Sequence, residues 1–331
     1  MKRDAAPRRM AALLFRRVGD SLMATPALRA IKQKYPSTHV TVLAEPQTAR
    51  VFEHNPWINE LSVIQPAPSP LQLTAALRRV GHLDTTLDFL SDPRSALACF
   101  LSGAAQRIGF DYRWRRWAYT NRIAPQNPGH PVYSVQHKLA LSSVFGCDST
   151  DITTDFFLTD ADRHFADDCW LKRGWINSQP VVAFFVHSRR TYKRWPLDNF
   201  AELFRRLQQE RLAIPLLLAT PGDEESVAQL RSLCDLSDDL IVSPTDLGQL
   251  GAVLGKCRIL VGNDGGPKHI AVALKVPTIT IFLADSPVYW TPPDSSCHVA
   301  VAQNEISTAS SAITPAMIYN AIVSQLGMDR G

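Results

Sequence analysis

One stretch constrains the fold more than any other. Arg258 to Leu283 reads Arg-Ile-Leu-Val-Gly-Asn-Asp-Gly-Gly-Pro-Lys-His-Ile-Ala-Val-Ala-Leu-Lys-Val-Pro-Thr-Ile-Thr-Ile-Phe-Leu. Ile259 to Val261 is a short apolar run, as expected of a strand buried on both faces. Asn263, Asp264, Gly265 and Gly266 break it with residues that tolerate positive φ and let a ligand approach the backbone. Pro267 suits the first turn of a helix running to about Leu274, and Pro277 opens a second buried strand, Thr278 to Phe282. A helix that starts at such a turn presents free N–H groups and a positive dipole end, an anion site suited to a diphosphate. Lys268 and His269 fall in its first turn. The plainer reading is a strand-turn-helix of any α/β protein, with Asp264 as a helix cap and His269 as packing.

The same alternation runs through the chain. Strands are expected at Ala11 to Phe15, His39 to Leu43, Glu60 to Ile64, Leu83 to Leu90 and Arg107 to Phe110, separated by helices. One helix is expected to run from the Gly19-Asp20 turn to about Lys34, and another from Tyr133 to Phe145, ended by Gly146. Asp111 to Pro131 has no clear period. A second series follows, with strands at Val181 to Val186, Ile214 to Ala219 and Leu240 to Val242, a helix opened by Pro221-Gly222, then the first-described stretch, a late strand near Val299 and a closing helix from Thr314. Two βαβ series predict an α/β protein of two Rossmann-like domains with parallel sheets. At 331 residues two cores are expected. The boundary is placed between Cys147 and Asp160, giving domains 1–150 and 151–331, with residues 1–10 a disordered extension.

Charge is uneven along the chain. Residues 1–150 hold 19 Lys or Arg against 10 Asp or Glu; residues 151–331 hold 16 against 21. The basic half implies an acidic partner for that half, or a solvated surface without meaning. The acidic second half argues against a nucleic-acid wrap. Six cysteines without a Cys-x-x-Cys pair argue against a zinc site and a disulfide framework, and point to a reducing cytoplasm. No apolar run approaches the roughly 18 residues of a membrane span.

Turns after strands carry the candidate chemistry, because ligands of parallel sheets bind outside the carboxyl ends of strands. Asp20 lies in the first such turn, as a helix cap or as a reacting carboxylate. Lys193-Arg194-Trp195-Pro196 follows the strand at Val181, with Ser188 and Arg189 just upstream. It is either a basic loop stapled by Trp195 or a phosphate-binding turn. Asp223 and Glu224 begin a helix, where acidic residues suit the dipole. Arg113, Arg115 and Arg116 interleave with Tyr112, Trp114 and Trp117. Such mixing binds single-stranded nucleic acid, or a phosphorylated glycolipid at a membrane surface, or packs half in the core. No Gly-x-Gly-x-x-Gly or P-loop pattern is present, which weakens an NAD-dependent oxidoreductase reading, and no Asp-x-Asp metal motif accompanies these turns.

Three of these motifs, in order, resemble glycosyltransferase family 9, the lipopolysaccharide heptosyltransferases. Gly19-Asp20-Ser-Leu-Met-Ala-Thr-Pro is similar to the family's N-terminal signature, Lys193-Arg-Trp-Pro to its Lys-x-Trp-Pro motif, and Asn263-Asp-Gly-Gly-Pro-Lys-His269 to its Asp-(Ser/Thr)-Gly-x-x-His donor signature. Gly265 replaces the usual Ser or Thr, and Leu283 to Pro287 matches the family's Gly-Pro-Thr-Asp-Pro turn only in part. The resemblance implies a GT-B fold, two Rossmann-like domains facing across a cleft, an N-terminal acceptor domain and a C-terminal donor domain. It implies an inverting, metal-independent transfer of heptose from ADP-heptose to the lipopolysaccharide inner core. Asp20 would be the general base, and Ser188, Lys193, Glu224, Asp264, Gly265, Gly266 and His269 the donor-binding residues. Arg113, Arg115 and Arg116 would meet a phosphorylated glycolipid acceptor during transient contact with the inner leaflet, in a cytoplasmic enzyme without cofactor or nucleic-acid partner. A member using another nucleotide sugar or acceptor is the nearest alternative.

Overall fold

The computed structural model describes residues 6–127, 129–175, 179–303 and 312–327. The chain divides into two compact units, one ending at Phe157 and one starting at Leu158. The first contains β1 (Arg9–Leu13), α1 (Val18–Leu22), α2 (Thr25–Lys34), β2 (His39–Ala44), α3 (Pro46–Phe52), β3 (Glu60–Val63), α4 (Pro70–Arg79), β4 (Thr85–Asp88), α5 (Pro93–Leu101), β5 (Gln106–Phe110), β6 (Asn121–Ile123) and α6 (Ser134–Leu139). The second contains α7 (Asp160–Arg173), β7 (Val181–Phe185), α8 (Leu197–Gln209), β8 (Ile214–Leu218), α9 (Glu224–Cys234), β9 (Ile241–Val242), α10 (Leu247–Lys256), β10 (Ile259–Asn263), α11 (Gly266–Ala273), β11 (Thr278–Phe282), β12 (His298–Ala302) and α12 (Pro315–Gly327).

Among the described residues the strands form two six-stranded sheets, ordered β3-β2-β1-β4-β5-β6 and β12-β11-β10-β7-β8-β9. Every pairing is parallel. Counted from its own first strand, each unit has the Rossmann order 3-2-1-4-5-6. The order therefore reverses between β1 and β4 in one unit and between β7 and β10 in the other.

Helices close each sheet because their apolar stripes need cover. On α8, Phe200, Leu203, Phe204 and Leu207 are fully buried and join Phe184, Val261, Ile279 and Ile318 in one core. In the first unit Leu13, Phe15, Leu43, Leu73 and Leu77 form the equivalent core.

Several local expectations are corrected. Arg9 and Met10 belong to β1, and Met10 is buried, so the chain is ordered before residue 11; residues 1–5 lie outside the described residues. The helix expected from Gly19 to Lys34 is two helices. Pro26 has no N–H to offer the Leu22 carbonyl, and the Thr25 hydroxyl takes that carbonyl instead (2.8 Å). The aperiodic stretch after Asp111 holds a 3₁₀ turn, Arg116–Ala118, and the edge strand β6. Three residues, Asn-Arg-Ile, are too few to show a period. Beyond Leu139, α6 tightens into a 3₁₀ segment, Ala140–Phe145, before Gly146 turns left-handed at φ 68°. No residue from Asn263 to Gly266 has positive φ; Gly265 is extended at φ −176°.

Two glycines answer to close approach. A Cβ at Gly109 would lie 2.5 Å from the Tyr119 ring, whose hydroxyl donates to Asp88 Oδ2 (2.8 Å) at the end of β4. Asp88 also accepts the Leu90 and Ser91 amides, and burial pushes its carboxyl up to about 6. A Cβ at Gly262 would lie 2.3 Å from the Phe185 carbonyl oxygen, where β10 runs beside β7. Gly262→Ala is expected to cost roughly 1–3 kcal/mol by overpacking, whereas Gly265→Ala, which meets neighbours only at 3.9 Å, stays within about 0.5 kcal/mol. Denaturant midpoints of the two variants compared with wild type check this.

Candidate functional site

In the C-terminal unit the candidate residues other than Glu224 gather where the strand order reverses. Asn263, the last residue of β10, ties the outgoing chains together. Its Nδ2 donates to the Val186 carbonyl (2.6 Å), and its Oδ1 accepts the Trp195 amide (3.0 Å). Trp195 is 2% exposed, packs edge-to-face on Phe200, and donates its indole N–H to the Ile313 carbonyl (2.9 Å). The turn that carries Lys193 is thus fixed from both sides.

Lys193 Nζ stands 3.1 Å from Asp264 Oδ2 and also pairs with Asp285. Lys268, on α11, is 3% exposed and donates to Asp264 Oδ1 (2.8 Å) and the Trp290 carbonyl (2.9 Å). Two lysines and two carboxylates therefore share one corner at the start of α11. Burial alone would raise the Asp264 carboxyl, but Lys268, His269 and Lys193 outweigh it and hold it down to about 2. Burial lowers Lys268 even though Asp264 opposes it; burial also acts against Lys193, where Asp285 and Asp264 win and raise it. Because burial works against Lys268, the pair stabilises less than the Asp264 shift alone would give. The Asp264 contribution is present above the unfolded carboxylate range and is lost as the pH falls through about 2.

His269 is buried with its ring edge-to-face to Trp290 (6.3 Å). Ser188 is buried, and its carbonyl accepts Arg194 Nε (2.6 Å). Gly265 is the N-cap of α11 and makes no side-chain cap; Asp264, despite its position, caps nothing. The extended φ and loose surroundings of Gly265 leave room for the hydroxyl side chain it replaces. Glu224 lines a cavity of about 540 Å³ with Thr220, Pro221, Val227, Ser243 and Pro244, largely apolar and at the carboxyl ends of β8 and β9. The neighbouring Asp223 is turned inward and accepts the Thr220 amide and hydroxyl (2.7 and 2.8 Å), so of the two acids Glu224 is the one that faces the cavity.

In the N-terminal unit Asp20 sits inside α1, whose N-cap, Arg17, makes no side-chain bond. Asp20 is thus not a cap. It pairs with Lys138 (3.4 Å) and lines a cavity of about 380 Å³ with Arg16, Arg17, Leu90, Tyr112 and His137. That cavity lies at the reversal between β1 and β4. Arg113, Arg115 and Arg116 are not among its lining residues. Arg113 stacks on Trp114 and Arg115 on Tyr112, while Arg116 grips Asp111 through Nε and Nη2 (3.0 and 2.9 Å).

Sequence reading missed Asp285, Lys138 and His137 as members of these sites. Asp285 stands in a turn noted only for its departure from a pattern, and Lys138 lies in a helix without a motif. Arg16 and Arg17 had a signal, their position just before Gly19-Asp20. Among the described residues no group of three or more His, Cys, Asp or Glu side chains is arranged to hold a metal ion, and no helix is long and apolar enough to cross a membrane.

Lys268→Met is expected to cost roughly 3–5 kcal/mol, because a buried carboxylate loses its nearest cation. Adding Asp264→Asn should recover much of that. Denaturation of the two single variants and the double variant measures the coupling.

A family model described as glycosyltransferase family 9 (heptosyltransferase) matches residues 71–315. Lipopolysaccharide heptosyltransferase 3 of Escherichia coli strain K12 is 26% identical over 290 residues, covering 83% of this chain and 82% of that protein. The solved glycosyl transferase family 9 structure from Veillonella parvula superposes with TM-score 0.86 at 18% identity, covering 98% of each chain. The E. coli heptosyltransferase WaaC, solved with ADP-2-deoxy-2-fluoro heptose, superposes with TM-score 0.72 at 18% identity, over 96% of this chain and 99% of that one. The family match removes the oxidoreductase alternative.

Proposed function

The chain belongs to glycosyltransferase family 9, and from that premise we propose that it transfers a heptose from ADP-heptose to the inner core of lipopolysaccharide, with inversion and with Asp20 as general base. The observation that carries this reading is the corner formed by Lys193, Asp264 and Lys268 at the start of α11, on the same carboxyl edge of the sheet as the Glu224-lined cavity. The named activities of the relatives, and the ADP-sugar bound to one of them, support the donor and acceptor.

The C-terminal unit is the donor domain in this reading. The diphosphate lies against Lys193 and the first amides of α11, at Gly265 and Gly266, with His269 beside the sugar and Ser188 at the phosphate turn. Glu224 accepts from the ribose hydroxyls, and the apolar cavity next to it takes the base. Asp264 does not touch phosphate. It fixes Lys193 and Lys268, and Lys268 neutralises it so that the corner does not repel an anion. When the donor arrives, Lys193 trades Asp285 for phosphate oxygens.

The N-terminal unit is the acceptor domain. Asp20 takes the proton from the attacking hydroxyl as the new C–O bond forms at the anomeric carbon and the bond to ADP breaks from the opposite face. ADP departs with the electron pair as a stable diphosphate, so no second acid has to protonate it. Lys193 and the α11 amides meet the charge that develops there, and the transfer needs no metal. First contact with the acceptor falls to Arg17 and to the arginine loop, where Arg113 and Arg116 stay exposed while stacked on Trp114 and paired with Asp111. A transfer using another nucleotide sugar is favoured by one observation, Gly265 in place of a hydroxyl residue.

The same loop presents Trp114 (81% exposed) and Trp117, which stacks edge-to-face on the half-exposed Phe100. With Arg113 alongside, this patch suits the headgroup region of an anionic inner leaflet, where a lipid-linked acceptor is met. The enzyme would then work at the cytoplasmic face.

Full-length enzyme incubated with ADP-heptose and a heptose-deficient lipopolysaccharide acceptor should release ADP and form product of inverted anomeric configuration, with EDTA leaving the rate unchanged. Asp20→Ala is expected to lower turnover by at least about 10²–10⁴-fold while ADP still binds in calorimetry, whereas Lys193→Ala weakens ADP binding about tenfold or more. Preference for UDP or GDP over ADP would keep the family and overturn the sugar. Trp114→Ala with Trp117→Ala should reduce sedimentation with phosphatidylglycerol vesicles and leave ADP affinity intact; equal sedimentation would remove the membrane contact.

A further inference from the structure

Among the described residues of the N-terminal unit, Lys138 is the one buried lysine, 7% exposed. A lysine is rarely buried without a partner, since an unpaired ammonium away from water is costly. Its ion partner is Asp20, at 3.4 Å from Nζ to Oδ1. The lysine side chain is 9% exposed and the aspartate side chain 28%, so the cation lies deeper than the carboxylate. Asp20 has no cap bond to fix it, because α1 is entered from Arg17 without side-chain capping.

The surrounding charges leave this task to Lys138. Arg16 is committed to Asp92 (2.8 Å), and Arg17 is exposed. His137, the preceding residue on α6, stacks flat on Phe110 at 4.0 Å, and burial pushes its imidazole down to about 4, so it is neutral and does not compete for the carboxylate. An ammonium has three donors, and one ion pair leaves others over.

We propose that Lys138 is a positioning residue for Asp20: it holds Oδ1 from the buried side and leaves Oδ2 to accept the proton of the acceptor hydroxyl in the 380 Å³ cavity. The inference rests on the reading of Asp20 as general base. Transfer of that proton turns the carboxylate into a neutral acid, and Lys138 keeps the group oriented before the step, when misplacement by about an ångström costs on the order of 10²-fold in rate.

The test uses full-length enzyme with K138M, K138R, D20N and D20N/K138M, scoring kcat, KM for each substrate, ADP affinity by calorimetry and the melting transition. K138M is expected to lower kcat by roughly 10–100-fold, with donor KM and ADP affinity unchanged. K138R should restore part of the loss, and K138M should add little in the D20N background, as for residues that act as a unit. Wild-type kcat in K138M with an inactive D20N overturns the inference and leaves the base in place. Losses that add in the double variant also overturn it. Near-normal turnover in D20N removes the base reading and the inference together. If K138M loses its melting transition, K138Q is scored in its place against the same outcomes.

Discussion

Each unit is organised by one constraint, the reversal of strand order in a parallel sheet. β1 and β4, and likewise β7 and β10, lie side by side while their crossovers leave toward opposite sides. Right-handed βαβ connections enforce that divergence, and it opens a crevice at the carboxyl ends of the paired strands. Every candidate functional group except Glu224 and the exposed arginine loop hangs from such a crevice. The close approach that makes it possible is visible at Gly262, where any side chain would strike the Phe185 carbonyl.

Polar groups at the crevices are satisfied from within. Asn263 spends its amide joining the exits of β7 and β10, and Asp88 spends its carboxylate on the turn after β4. These residues resemble site groups in a sequence and serve as scaffolding in the fold. The functional corner is different, because its charges are held against one another. Asp264, Asp285, Lys193 and Lys268 balance one another through their ion pairs. Such an arrangement keeps a lysine charged and in place while leaving it able to exchange one anionic partner for another.

Much of this was legible beforehand, and the reason differs by element. β11 was readable to the residue because Pro277 punctuates it and its strand pattern is unbroken. The exposed strand β6 was not, since three residues at an edge carry no pattern. The break between α1 and α2 was written in Pro26, yet it needed the Thr25 hydroxyl to show how the chain survives it. Glycines were misread in kind. The turn at Asn263 to Gly266 needs no left-handed residue, while Gly262 and Gly109 matter for room.

The sequence by itself determined the α/β class, the order of its elements, and the Asp20, Lys193 and Asp264–His269 motifs, because strands, turns and helix starts leave local patterns. Only tertiary structure decided which strands became neighbours, and so which turns share a crevice. It brought Lys138 to Asp20 across more than a hundred residues and Asp285 to Lys193 across nearly as many. Ion pairs of that separation leave no local trace, since nothing in either segment's own propensity depends on the partner. The distinction is physical: backbone preference and hydrophobic period act within a few residues, whereas charge compensation in a buried corner exists only once the sheet has closed.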